Sequence, residues 1–245
     1  MKNKGVLDSK EMETGSIKGA DVERLFKVGA HFAQTKSRRH PSMKPFVLGA
    51  KQRFEILDLS ATERQLLEAK AALKTLAVGG KTVLWVGGKP EIAGLLKETA
   101  RGLHAPYVAG RWLGGTISNF VEIKKRIDRL ADLIVKRDSG ELAKRHTKLE
   151  RVRLDREITR LSERLEGITE LSRRPDALVI VDTKHEKHAA KEAHGSGIPV
   201  IALMGSDCDL KDAAYPIVAN DASRATVSLI LSELATAFEE GVRGA

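Results

Sequence analysis

Four short, largely apolar runs constrain this chain most: Thr82 to Val86, Ala177 to Val181, Ile198 to Leu203 and Tyr215 to Val218. A strand wetted on one face alternates polar and apolar residues, whereas a run apolar throughout belongs in a sheet covered on both faces, usually a parallel one. Helical stretches separate the runs. One is capped by Ser60 and carries Leu66, Leu67, Ala69, Leu73 and Leu76 to a stop at Gly79-Gly80. Others run from Pro90 to Gly102, from about His185 to His194, and from Ala222 to Glu240 with Val227, Ile230, Leu231, Leu234 and Phe238 on one face. Pro106 to Val108 and Phe54 to Leu59 add two briefer strand candidates. The pattern predicts a doubly wound, flavodoxin- or Rossmann-like α/β domain.

Residues 118–171 follow another period. Phe120, Ile123, Ile127, Leu130 and Ile134 are spaced 3, 4, 3, 4, and after a break at Asp138-Ser139-Gly140 the series Leu154, Ile158, Leu161, Leu165, Ile168 is spaced 4, 3, 4, 3. Such seams predict an inserted antiparallel coiled-coil hairpin with arms of about 30 Å. The stretch between Leu142 and Val152 is out of phase with the later seam. The organisation expected is a mobile extension over 1–19, an α/β domain from 20–117 and 172–245, and the hairpin over 118–171. At the junction, Arg111-Trp112 precedes Gly114-Gly115 and a cap-type Ser118-Asn119, so a cation and a flat apolar face are expected at a glycine corner.

Charge is segregated. The 245 residues carry a formal net charge of +9. From Arg24 to Arg53 there are eight Lys and Arg (Arg24, Lys27, Lys36, Arg38, Arg39, Lys44, Lys51, Arg53) and no Asp or Glu; residues 122–174 hold sixteen against eleven. Clustering of this kind suits a polyanion, because each phosphate neutralised releases condensed counterions. Pro41 and Pro45 make the first cluster, residues 31–53, read as an extended basic loop suited to an RNA surface. Cys208 is the single cysteine, the amino-terminal residues mix both charge signs without an apolar segment, and no run approaches membrane-spanning length. A cytoplasmic protein without disulfides is expected.

Catalytic signals are weak. Gly87-Gly88-Lys89-Pro90 sits where doubly wound folds bind phosphates but lacks both common phosphate-loop fingerprints, so a nucleotide-binding enzyme is only the alternative reading. Asp182, His185, Glu186 and His188 follow a strand, yet no third metal ligand has suitable spacing. Cys208 lies among Asp207, Asp209 and Asp212, which would raise its pKa and disfavour a nucleophilic role. No catalytic residue, metal or cofactor is expected. A coiled-coil adaptor that binds only proteins is the remaining competitor.

Several motifs together resemble the bacterial small-subunit ribosomal protein S2 family, from about Leu25 to Phe238. They are Gly29-x-His31-Phe32, Pro41-x-Met43-Lys44-Pro45-Phe46, Ile56-Leu57-Asp58-Leu59 and above all Arg111-Trp112-Leu113-Gly114-Gly115-Thr116 with Asn119-Phe120. Pro175-Asp176-Ala177-Leu178, Lys191-Glu192-Ala193, Gly197-Ile198-Pro199-Val200 and Asn220-Asp221 follow in order. The resemblance implies a non-catalytic structural constituent of the small ribosomal subunit, bound to small-subunit rRNA and neighbouring ribosomal proteins, that supports docking of protein S1. It maps the family's RNA-contacting loop onto Lys36, Arg38, Arg39 and Lys44 and its tryptophan corner onto Arg111 and Trp112. With Lys51 and Arg53 from the same basic segment, these form the expected RNA-binding set. The chain departs from the family pattern at Ala33-Gln34, at Arg39-His40 and over Gly205 to Leu210, where an altered contact is expected.

Overall fold

Parallel pairing of five buried strands organises the molecule, for which a computed structural model describes residues 19–244. These strands are β4 (Val83–Val86), β5 (Tyr107–Val108), β6 (Ala177–Val181), β7 (Val200–Met204) and β8 (Tyr215–Val218), in the order β5-β4-β6-β7-β8. Every pairing is parallel, in the doubly wound order expected. Side chains alternate between two cores. Val83, Trp85, Val179, Val181, Ile201 and Leu203 face one, and Leu84, Val86, Leu178, Ile180, Ala202 and Met204 face the other.

The first core is covered by α2 (Leu59–Val78), α3 (Pro90–Gly102) and α8 (Arg224–Arg243), with α1 (Gly19–Lys27) at its margin. Helix α2 is capped by Asp58, whose Oδ1 accepts from the Ser60 amide at 2.9 Å. The cap therefore lies two residues before the serine the sequence suggested, at the residue that follows the preceding strand. The second core is closed by α7 (Lys187–Gly195), Met43 and Leu57, and residues of the insertion. Of the extension expected over 1–19, only Gly19, which opens α1, is among the described residues.

The insertion contains α4 (Phe120–Asp138), α5 (Glu141–Arg145) and α6 (Lys148–Leu165). On α4 the buried positions are Ile123, Ile127, Leu130 and Leu133, while Ile134 is half-buried. At the end of the seam Leu133 is buried in place of Ile134. Helix α4 ends at the expected break, where Gly140 has φ +75°. A capping box between Thr147 and Glu150 then starts α6, so α5 and this restart occupy the out-of-phase stretch.

The expected basic loop is folded. Strands β1 (Phe32–Thr35), β2 (Val47–Lys51) and β3 (Phe54–Leu57) form an antiparallel ribbon ordered β1-β3-β2. The two prolines do not interrupt it: Pro41 starts a 3-10 turn, capped by His40, that buries Met43. Proline fits a first helical position, where its missing N–H is no loss.

Candidate nucleic-acid interface

A two-residue turn between Lys51 and Phe54 places Gln52 at φ 58° and projects Arg53 from the end of the ribbon. Lys36, Arg38, Lys44, Lys51 and Arg53 are all exposed. Among the described residues none of the five has an ion-pair partner. Phe32 and Phe54, on neighbouring strands, are about half exposed between them. The ribbon thus presents cations interleaved with aromatic faces, a surface suited to phosphates and unstacked bases. Sequence reasoning missed both phenylalanines, although Phe54 begins a strand whose alternation turns it outward.

Two members of the expected set are engaged inside the protein. Arg39 is 19% exposed and its Nη1 donates to Glu55 Oε1 at 2.6 Å. Glu55 lies on β3, just past the acid-free segment, and is itself buried. Arg39 is therefore a structural cation. Trp112 is 8% exposed, packs in the second core and donates its indole Nε1–H to Glu192 Oε2 at 2.9 Å. The flat face expected at the tip of the corner points inward, because a large apolar ring gains more from burial than a solvent-exposed corner allows. Arg111 beside it is exposed.

Glu192, on α7, fastens that corner. Its Oε2 also accepts from the Gly115 amide at 3.2 Å, and its Oε1 accepts from the amides of Ile117 at 3.0 Å and Ser118 at 2.8 Å and from the Ser118 hydroxyl at 2.7 Å. The hydroxyl expected to cap α4 is thus directed to Glu192, and Asn119 at the N-cap position makes no side-chain capping bond. Burial raises the Glu192 pKa, but hydrogen bonds led by the Ser118 amide and the Trp112 indole outweigh it and hold the carboxyl below its ordinary value. Gly115 supplies the corner's positive φ of 91°.

The segments that depart from the family pattern meet each other. The Gln34 amide donates to Ser206 Oγ at 3.0 Å, the His40 amide to the Ser206 carbonyl at 2.9 Å, and the Leu210 amide to Ser42 Oγ at 3.2 Å. The ribbon is thereby tied to the loop after β7.

At the switch point between β4 and β6, where doubly wound folds take up ligands, internal groups occupy the phosphate-binding features. The Gly88 amide donates to Glu186 Oε1 at 2.9 Å. Lys89 Nζ lies 2.5 Å from Asp182 Oδ2 and 3.1 Å from Asp221 Oδ2. A Cβ on Gly88 would sit 2.6 Å from the Gly110 carbonyl oxygen, so the glycine serves close packing. This geometry counts against the nucleotide-binding alternative. Asp182, Cys208 and Asp221 come close enough to suggest a metal centre, but the Lys89 ammonium bridges the two carboxylates. Burial foremost, with Asp182 and Asp221 nearby, pushes the Cys208 thiol up to about 12. The pKa rises as expected, though from burial and those two residues rather than from the sequence neighbours Asp207 and Asp209. Among the described residues no helix is long and apolar enough to cross a membrane.

A doubly wound α/β domain that carries a basic, aromatic-studded ribbon and inserted helices defines a class of basic α/β proteins. Comparison with known proteins resolves the class. The family model described as ribosomal protein S2 matches residues 25–241, and the chain belongs to that family. It is similar to the small ribosomal subunit protein uS2 of Coprothermobacter proteolyticus, at 36% identity over 91% of this chain and 83% of the relative. It is likewise similar to those of Fusobacterium nucleatum, at 36% over 91% and 90%, and Crocosphaera subtropica, at 38% over 91% and 82%. It is therefore a ribosomal protein of the small subunit, at work in translation in the cytoplasm.

Proposed function

We propose that this protein is a structural constituent that binds small-subunit rRNA through the ribbon, with Lys36, Arg38, Lys44, Lys51 and Arg53 as phosphate contacts and Arg111 as a contact at the corner. The observation that carries the reading is the set of five exposed ribbon cations without ion-pair partners among the described residues. An exposed cation without an internal partner keeps its full charge for a phosphate, and clustering multiplies the gain from counterion release. Phe32 and Phe54 add faces on which unstacked bases can rest. Arg39 and Trp112 leave the contact set and hold the ribbon and corner in shape. The inserted helices act as a coiled-coil arm toward neighbouring small-subunit proteins, and the assembled surface supports docking of protein S1. Neither metal nor cofactor takes part.

The test is binding of the full chain to deproteinised small-subunit rRNA over a salt series. Replacing the five ribbon cations by alanine should flatten the slope of log affinity against log salt by about 4, at 0.7 to 0.9 per lost contact. Circular dichroism should be unchanged, since the residues are exposed. A slope that does not move would refute the assignment.

A further inference from the structure

A second cationic surface lies outside the ribbon. Between α4 and α6 runs a concavity of about 390 Å³ whose rim carries Arg126, Arg153, Arg160 and Arg164. All four are exposed, and among the described residues none has an ion-pair partner. The groove holds a single carboxylate, Glu157, and Arg129 lies 3.5 Å from it. Elsewhere on α4 the pattern is different. Lys124, Lys125 and Lys136 lie outside the groove and are matched by Asp128, Glu122 and Asp132. Charge matching thus fails in the hollow, although Arg151 and Arg156, exposed on α6 outside it, are likewise without ion-pair partners among the described residues.

Like charges one turn apart, as at Arg160 and Arg164, weaken a helix. The arrangement is better suited to a bound anion than to the free chain. All four cations are arginines, whose planar forks meet phosphate oxygens in pairs, where a lysine offers a point charge. Arg153, Arg160 and Arg164 span eleven residues of α6, about 16 Å at 1.5 Å each. At about 3.4 Å of rise per nucleotide in a stacked strand, that row matches about five or six successive phosphates. Arg164 also lines an adjoining hollow with Arg111, so the groove continues to the corner. Of the two carboxylates beside that second hollow, Glu166 is held by Lys97 and Arg101, while Glu163 has no ion pair among the described residues.

We propose that the groove between α4 and α6 is a second contact surface for RNA phosphates, continuous with Arg111. The inference rests on the rRNA-binding reading above and adds a separate surface to it. The experiment uses the full chain, deproteinised small-subunit rRNA and, as an acidic-protein mimic, poly-L-glutamate. The variant R126Q/R153Q/R160Q/R164Q should lower the salt slope for rRNA by about 3 with helical content retained. R160Q/R164Q should lower it by about 1.5, which keeps the test sound if the fourfold variant folds poorly. A ribbon variant, K36Q/R38Q/K51Q/R53Q, is run in parallel. If it lowers the slope and the groove variants do not, the groove assignment is overturned while the ribbon reading stands. If neither lowers it, both fall. Loss of poly-L-glutamate binding with rRNA binding intact assigns the groove to an acidic protein and also overturns the proposal.

Discussion

Replacing Glu192 by glutamine keeps the shape of the side chain and changes only its charge and donor pattern, which isolates what the carboxylate does at the corner. The native group accepts five hydrogen bonds, three at Oε1 and two at Oε2. The best orientation for glutamine keeps its carbonyl toward Ile117 and Ser118 and turns its NH2 against the N–H groups of Trp112 and Gly115. Two bonds are lost. Hydrogen bonds to a charged group contribute about 1.5 to 3 kcal/mol each, so the gross loss is about 3 to 6 kcal/mol. Relief from desolvating a carboxylate and access of water to a half-buried site offset part of this, which leaves about 3 kcal/mol. For a chain of this size that lowers Tm by roughly 6 to 12 °C.

Thermal and urea unfolding at pH 7.5 and pH 3.5 provide the assay. The folded-state pKa of Glu192 lies below its unfolded value, so its contribution is present above about pH 4.3 and is lost as pH falls through the folded pKa. The gap between wild type and E192Q should therefore narrow in acid. A difference under about 0.5 kcal/mol at pH 7.5, below the net worth of one such bond, would refute the reasoning. So would a gap that persists undiminished at pH 3.5.

Arg39→Ala should destabilise the fold by about 3 to 5 kcal/mol, because Glu55 is left buried and uncompensated, and the double variant R39A/E55A should recover part of that loss in urea melts. Gly88→Ala forces a methyl group against the Gly110 carbonyl and Glu186 and should lower stability by about 1 to 3 kcal/mol, measured by the urea midpoint. Asp221 is raised to about 6, by burial first and by Asp182 next. Such a group stabilises the fold fully below its unfolded pKa of about 3.9 and loses that contribution as pH rises through about 6. Asp221→Asn should accordingly remove the decline in stability across this window, and an unchanged pH profile of unfolding would contradict the assignment.

The sheet was legible because its signal is local and strong. β6 and β8 coincide with their apolar runs, since a run of four or five apolar residues between polar turns has few other places to go. The ribbon was not, because its strands are four or five residues long and all three carry a cation or an aromatic outward. Its pairing is decided by β3, which inserts between β1 and β2 and leaves no periodicity that a sequence window can detect. The candidate site divides along the same line. Exposed cations such as Lys36 and Arg53 were visible as a charge cluster, but the partner of Arg39 lies 16 residues away and that of Trp112 lies 80 away. Tryptophan serves as core and as contact surface with equal chemical ease, so only its surroundings decide.

The clasp at Ser206 means that the β1-β2 region and the loop following β7 form one structural unit despite the distance between them in the chain. Hybrids that exchange residues 33–42 with a relative should bring residues 205–210 from the same donor, or backbone amides at both ends will face surfaces shaped for other side chains.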